Sequence, residues 1–168
     1  MKTVTSSGSA TLTLPTDEQI LITREFDAPK HLVYKALTTP ELVKRWWHAK
    51  RGTVTICEID LRVGGKWRSV AVTDDGFEVG FHGEYREIAP DERIVTTEVY
   101  EGLPEGVSEE EGGTVNTTTL TEADGRTTLA ILIQARNKVS RDAIVDSGME
   151  AGLQDALDLL EEVAGSLR

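Results

Sequence analysis

Apolar and polar positions change their period twice along the chain. Thr11 to Leu14 and Ile20 to Phe26 alternate or run apolar on either side of Pro15-Thr16-Asp17-Glu18, which predicts a β-hairpin. Asp27-Ala28-Pro29 stops the second strand, and Pro29 suits the first turn of a helix with Leu32, Val33, Ala36 and Leu37 as its apolar stripe. Thr39-Pro40-Glu41 opens a second short helix, with Leu42, Val43, Trp46 and Trp47 on or near one side. From Thr53 the period becomes two. Val54 to Leu61, Lys66 to Thr73, Val79 to Ile88, Arg93 to Tyr100, Val115 to Thr121 and Thr127 to Gln134 read as strands. Gly64-Gly65, Asp74-Asp75-Gly76, Pro90-Asp91 and Asp124-Gly125 separate them as turns.

The helical period returns at the C-terminus. Ser140 is the candidate N-cap, and Val145, Met149, Gly152, Leu153, Ala156, Leu157, Leu160 and Val163 recur on one face. The pattern predicts one helix of about 25 residues, thinned on one side by Gly148 and Gly152. Helices flanking a run of strands mean an α+β fold: one curved antiparallel sheet wrapped around a long C-terminal helix, two short helices closing one end. A twisted sheet closed over one helix leaves room for a cavity between them. Residues 1–19 read as an N-terminal extension, flexible or forming an extra strand, and residues 20–168 as a single domain.

Composition narrows the function classes. The chain has 168 residues, 39% of them hydrophobic, enough for a core without disulfide or metal. Its net charge of −11 repels phosphate backbones and anionic lipid, which argues against nucleic acid and membrane partners. The longest apolar run, Leu129 to Ile133, is far short of the ~20 residues of a membrane span. The N-terminal residues lack the apolar core of a secretion signal, and a lone cysteine, Cys57, fits a reducing cytoplasm. His31, His48 and His82 have no metal-ligand spacing, and no nucleotide or cofactor fingerprint is present, so no cofactor is expected.

Only 5% of the residues are aromatic, yet all three tryptophans lie between positions 46 and 67. Strand parity assigns their neighbours to faces. Burying Lys66 with Arg68 would be costly, so Trp67, Ser69 and Ala71 are expected to point inward. By the same argument Phe81, Gly83 and Tyr85 face in, while His82, Glu84 and Arg86 face out. An inward Glu98 needs a partner, for which Arg68 or Arg62 is the candidate; the alternative is an exposed cross-strand ion pair. Asp60 and Arg62 are expected to pair locally. Met149 and Leu153 are assigned to the cavity wall, His48 to a position near its mouth or an exposed loop, and the acidic loop 101–113 to solvent or to a lid.

Four segments in order, ILITREFDAPKHLVYKALTTPELVKRWW, EIDLRVGGKWR, FHGEYREIAPDERIVTTE and SGMEAGLQDALDLLEEV, resemble the bacterial homologues of the activator of heat-shock protein 90 ATPase. That family belongs to the START-like (SRPBCC) helix-grip superfamily, together with polyketide cyclases. The resemblance runs from about Ile20 to Leu160 and implies a ligand cavity between the sheet and the C-terminal helix. On it, Trp46 and Trp47 end the second short helix, Trp67, Phe81, Gly83 and Tyr85 lie on the strands, and Met149 and Leu153 lie on the helix face. The superfamily leaves three functions open. One is non-catalytic binding of a small hydrophobic or aromatic, lipid- or polyketide-like ligand. The others are a cyclase or hydrolase and, ranked third, a co-chaperone acting on a chaperone ATPase. A homodimer through sheet edges also stays open.

Overall fold

The computed structural model describes residues 2–7, 10–102, 105–108 and 112–168. Strands β1 (Lys2–Ser7), β2 (Ala10–Leu14) and β3 (Gln19–Phe26) precede helices α1 (Lys30–Thr38) and α2 (Pro40–Val43). Strands β4 (Gly52–Ile59), β5 (Lys66–Thr73), β6 (Glu78–Ala89), β7 (Arg93–Tyr100), β8 (Thr114–Ala123) and β9 (Arg126–Gln134) follow. Helices α3 (Lys138–Asp146) and α4 (Met149–Ser166) end the chain. All neighbouring strands pair antiparallel in one sheet of order β1-β2-β3-β9-β8-β7-β6-β5-β4. The fold is therefore α+β, with a C-terminal helix on the inner face of a long antiparallel sheet.

Two details of the C-terminal segment differ from the sequence pattern. The expected single helix is two, because Gly148 adopts the left-handed conformation (φ 83°) between α3 and α4. Apolar periodicity runs through the break and hides it. The N-cap is Asn137, whose side-chain oxygen accepts from the Ser140 N–H at 2.8 Å, and Ser140 itself lies inside α3.

The core forms where the helices meet β2, β3, β9 and β8. Ile20, Ile22 and Phe26 of β3, Leu129 of β9, Val33 and Ala36 of α1, and Leu157 and Leu160 of α4 are all buried there. Their alternation on β3 gives every second residue to this face. Polar contacts fix α4 in place. Gln154 accepts from the Ala10 N–H at 3.2 Å and donates to the Ala10 carbonyl at 2.9 Å. Arg24, buried on β3, reaches Asp158 at 2.9 Å and Glu161 at 3.1 Å on α4, and its guanidinium lies 5.0 Å from the centre of the Phe26 ring. The sheet's far end also returns to this helix: Arg51, just before β4, bonds Asp155 at 3.0 Å.

Two substitutions test these anchors. Arg24→Ala should cost about 3 kcal/mol in urea unfolding, because it empties a buried site beside Phe26 and breaks both ion pairs to α4; a loss below about 0.5 kcal/mol would contradict the anchoring role. Gly148→Ala has open space around it but the wrong backbone angle, so it should cost about 1 kcal/mol through strain alone. An unchanged urea midpoint would show that the break relaxes into continuous helix.

Candidate functional site

The helical layer covers only part of the inner face. Over β3 and β9 the inward residues are buried except for Ile131, which is half-buried, with Ile20 and Leu129 both 0% exposed. On β5 to β8 the same face keeps accessible surface at Trp67, Phe81, Thr96, Glu98, Asn116 and Thr118, above a buried floor of Ser69, Ala71, Gly83 and Tyr85. Register aligns these residues into one surface: Trp67 opposite Gly83, Ser69 opposite Phe81, Tyr85 opposite Thr96, and Phe81 opposite Tyr100. Trp67, Ser69, Ala71, Phe81, Gly83 and Tyr85 therefore share one face. Lys66, Arg68 and His82 lie on the other.

The three tryptophans do different work. Trp46 donates its indole N–H to the Ala36 carbonyl at 2.9 Å and packs against the main core, tying the segment after α2 to α1. Trp47 reaches the sheet instead, its ring edge-on to Phe81 at 6.1 Å, and Phe81 lies 5.2 Å from Tyr100. His48 stacks edge-on against Trp47 at 4.4 Å, half-buried and in a left-handed backbone conformation (φ 53°). Burial and the nearby Arg51 both hold its imidazole below the ordinary histidine range.

Trp67 lies across Gly83 and donates to the Thr97 carbonyl on β7 at 3.2 Å. That carbonyl would ordinarily serve the β6–β7 ladder, and the Glu84 N–H is met instead by the Thr97 hydroxyl at 3.0 Å. A Cβ at position 83 would collide with the Thr97 carbonyl oxygen and sit 2.7 Å from the indole nitrogen. Gly83 is thus the small residue that lets the large ring lie flat. The interaction joins three strands, so it could not be read from any one of them.

Glu98 points to the same face, across from Gly83 by continuation of the register. Burial of its carboxyl raises the pKa from 4.5 to about 7, against the opposing pull of a hydrogen bond with Asn116. Asn116 is oriented in turn: its side-chain oxygen accepts from the Thr114 hydroxyl at 2.8 Å, which leaves the amide N–H groups for Glu98. The expected arginine partners are engaged elsewhere. Arg68 forms a two-pronged pair with Glu101 (2.9 Å each) on the outer face, and Arg62 bonds Asp60 at 2.8 Å, as the sequence suggested for that pair. Outward Arg68 could not have reached an inward Glu98. Asn116, eighteen residues on in sequence, carries no pattern that would have pointed to it.

Other groups on this surface are neutral. Burial raises both the Cys57 thiol and the Tyr85 phenol above their ordinary ranges, and Ser69 makes a long 3.9 Å contact to the Cys57 sulfur. Met149 and Leu153, on the first turns of α4, pack against the main core while remaining half-buried. Among the described residues, no group of three or more His, Cys, Asp or Glu side chains could hold a metal ion. No described helix is long and apolar enough to cross a membrane. The acidic loop 101–113 lies partly outside the described residues.

Two depressions open elsewhere. One of about 520 Å³ touches Trp67 and Gly83, but Glu58, Asp60, Lys66, Arg68 and His82, which line it, belong by parity to the outer face. The other, of about 290 Å³, lies at the β8–β9 turn beside Glu25 and Arg126. The inner surface is instead a seam, its aromatic rings in contact and its polar residues half accessible.

Glu98 makes stability depend on pH in a defined direction. Below about pH 4.5 the acid is protonated both folded and unfolded, and it costs nothing. Between there and about pH 7 only the unfolded chain ionises, so stability falls as pH rises and levels off above the folded pKa. Glu98→Gln keeps the shape and removes the proton linkage. It should match the parent at pH 4 and exceed it by about 3 kcal/mol at pH 8 in urea unfolding. Equal stability of the two proteins at both pH values would mean an ordinary carboxyl.

Solved structures with this fold include a protein from Rhodobacter sphaeroides, with TM-score 0.82 and 25% identity, covering 95% of this chain and 99% of the other. A protein from Chromobacterium violaceum aligns with TM-score 0.75 and 26% identity, over 89% and 98%. One from Nitrosomonas europaea gives 0.78 and 22%, over 93% and 99%. No curated protein matches the sequence. Residues 27–165 match the family described as Activator of Hsp90 ATPase homolog 1-like protein. With most of its length inside that match, the chain belongs to the Activator of Hsp90 ATPase homolog 1-like family.

Proposed function

We propose that this protein binds a small hydrophobic or aromatic molecule along the inner seam, without converting it. The supporting observation is the contrast in burial across one continuous face. The helices bury β3 and most of β9, whereas Trp47, Trp67, Phe81 and Glu98 keep accessible surface over a floor made of small or buried residues. Aromatic side chains that are only partly covered present flat apolar area at low entropic cost, which suits a ligand wall. Entry requires the Trp47 ring to move off Phe81, and Trp47 is carried by a connecting segment rather than by a strand. Met149 and Leu153 pack against the main core, so the wall is carried by the aromatic and polar residues of β5 to β8 and by Trp47.

A second reading, an enzyme of the cyclase or hydrolase kind, draws on Glu98. A carboxyl titrating at about pH 7 is matched to giving and taking protons at neutral pH. Binding is placed first because the side-chain partner of Glu98 is the neutral Asn116 amide, which cannot complete a general acid–base pair. Mass spectrometry of a bound ligand recovered after prolonged incubation separates the two: an unchanged mass supports binding, and a product supports the enzyme.

The binding reading is tested with a neutral aromatic probe, N-phenyl-1-naphthylamine. Saturable fluorescence enhancement should appear, with the indole N–H resonances of Trp47 and Trp67 shifting and that of Trp46, held by Ala36, staying in place. Trp47→Ala should weaken the probe about tenfold, a loss of ~1.4 kcal/mol. Failure of this probe and of a panel of neutral aromatics to move either indole would sink the proposal.

A further inference from the structure

The seam's charge inventory is one-sided. Among the described residues, the regularly paired strand side chains of β4 to β8 that share the inner face include two acids, Glu98 and Glu122, and no base; Glu122 lies at the far end of β8, where it accepts from the Lys30 N–H at 2.7 Å. Lys66, Arg68 and Arg93 are on the opposite face and paired there, Lys66 with Glu84 at 3.2 Å, Arg68 with Glu101, and Arg93 with Glu87 at 2.8 Å, while Arg86 is exposed at the β6 bulge. What Glu98 has is a neutral amide, and that amide is held in orientation by Thr114. A desolvated carboxyl with one neutral donor lacks the counter-charge that would let it ionise without cost.

Its surroundings suit a cation. Tyr100 is two residues along β7 on the same face, and Phe81, opposite Tyr100, is the diagonal neighbour of Glu98 across the strands. The Phe81 and Tyr100 rings are inclined by 42°, and Trp47 stands edge-on to Phe81. Ring faces beside a carboxylate attract a positive group twice, through the quadrupole and through the charge. The protein's net charge of −11 adds a long-range field of the same sign. An anionic ligand would meet repulsion from Glu98 and no basic strand residue on this face.

We propose that the seam selects organic cations, small molecules with an ammonium head on an aromatic or aliphatic body, the head seated against Glu98 beside Phe81 and Tyr100. This assignment rests on the ligand-binding reading and names its chemical class. The body lies along Trp47 and Trp67, and the Asn116 amide keeps the carboxylate aimed at the head. Binding ionises Glu98 and releases its proton at pH below 7, so affinity rises with pH through that region. Of the other titratable groups near this space, His48 changes charge with the same sign as Glu98, but its lowered pKa puts that change earlier in the titration and Glu98→Gln leaves it in place; Lys44 and Glu41, of opposite charge, both act on Cys57. Cys57 of β4, Tyr85 of β6 and Tyr34 of α1 are all held neutral by raised pKa values, and His48 is shifted downward. On α4, Glu150 bonds Gln154 at 3.4 Å and Asp155 bonds Arg51.

The test uses one body with three heads: 4-phenylbutylamine, 4-phenylbutanol and 4-phenylbutanoate, titrated while the Trp47 and Trp67 indole resonances are followed. The amine should bind at least about tenfold tighter than the alcohol, and the carboxylate most weakly. The amine's affinity should rise about tenfold from pH 6 to pH 8, following the ionised fraction of Glu98. Glu98→Gln should bring amine and alcohol together and flatten the pH profile, with an unchanged spectrum elsewhere showing that the fold is intact. Equal or better binding of the alcohol overturns the cation assignment and leaves the binding function standing. If none of the three heads moves either indole, the assignment and the binding reading fall together.

Discussion

A helix with its side chains is about 10–12 Å wide, whereas nine strands at ~4.8 Å spacing span about 40 Å, so the position of α4 decides what the rest of the inner face becomes. Here α4 is drawn to the β2–β3 side. Arg24 reaches it from the buried face of β3, Gln154 grips the backbone of Ala10, and α1 fills the space over β9 and β8. The strands under this layer become core. Those beyond it are left to the segment after α2, which brings Trp47 to Phe81 but cannot seal a surface four strands wide.

That division explains the chemistry of the two halves. The covered half is mostly apolar, with Ile20, Ile22, Leu129 and Ile133 supplied by β3 and β9; the buried polar residues of these two strands are Arg24, compensated by Asp158 and Glu161, and Thr127, which donates to the Ala28 carbonyl. The other half tolerates Thr114, Asn116, Thr118, Thr96 and Glu98 on its inner side because water still reaches most of them. Glu98 is the exception: its residue surface is partly open while its carboxyl is desolvated, and the result is an acid poised between charge states at neutral pH. Gly83 and Trp67 hold the strands at this point by replacing ladder bonds with an indole donor. The same interaction creates the flat aromatic surface and spaces β6 from β7 next to Glu98.

Much of this was legible in the sequence, because strand parity is local. Lys66–Thr73 and Arg93–Tyr100 have the bounds that alternation gives, and the cost of burying Lys66 with Arg68 placed Trp67 on the correct face. What depends on contacts between distant strands was not legible. Asn116 replaced the arginines as the partner of Glu98, because register, not residue type, brought it there. The break at Gly148 was masked by apolar residues continuing in phase on both sides, and the switch of N-cap to Asn137 moved the start of α3 by a turn. Family membership supports a ligand-binding or activator role in general terms, and the choice within it depends on residue chemistry.

The open half of the inner face is defined by a desolvated carboxyl without a counter-ion. The direct measurement is a carbon-13 NMR titration of the Glu98 side-chain carboxyl in the ligand-free protein. A midpoint raised to about pH 7 is the expected result. A midpoint at the ordinary 4.5 would mean that water or a cation already reaches Glu98, and the seam would lose the feature that distinguishes it from plain core.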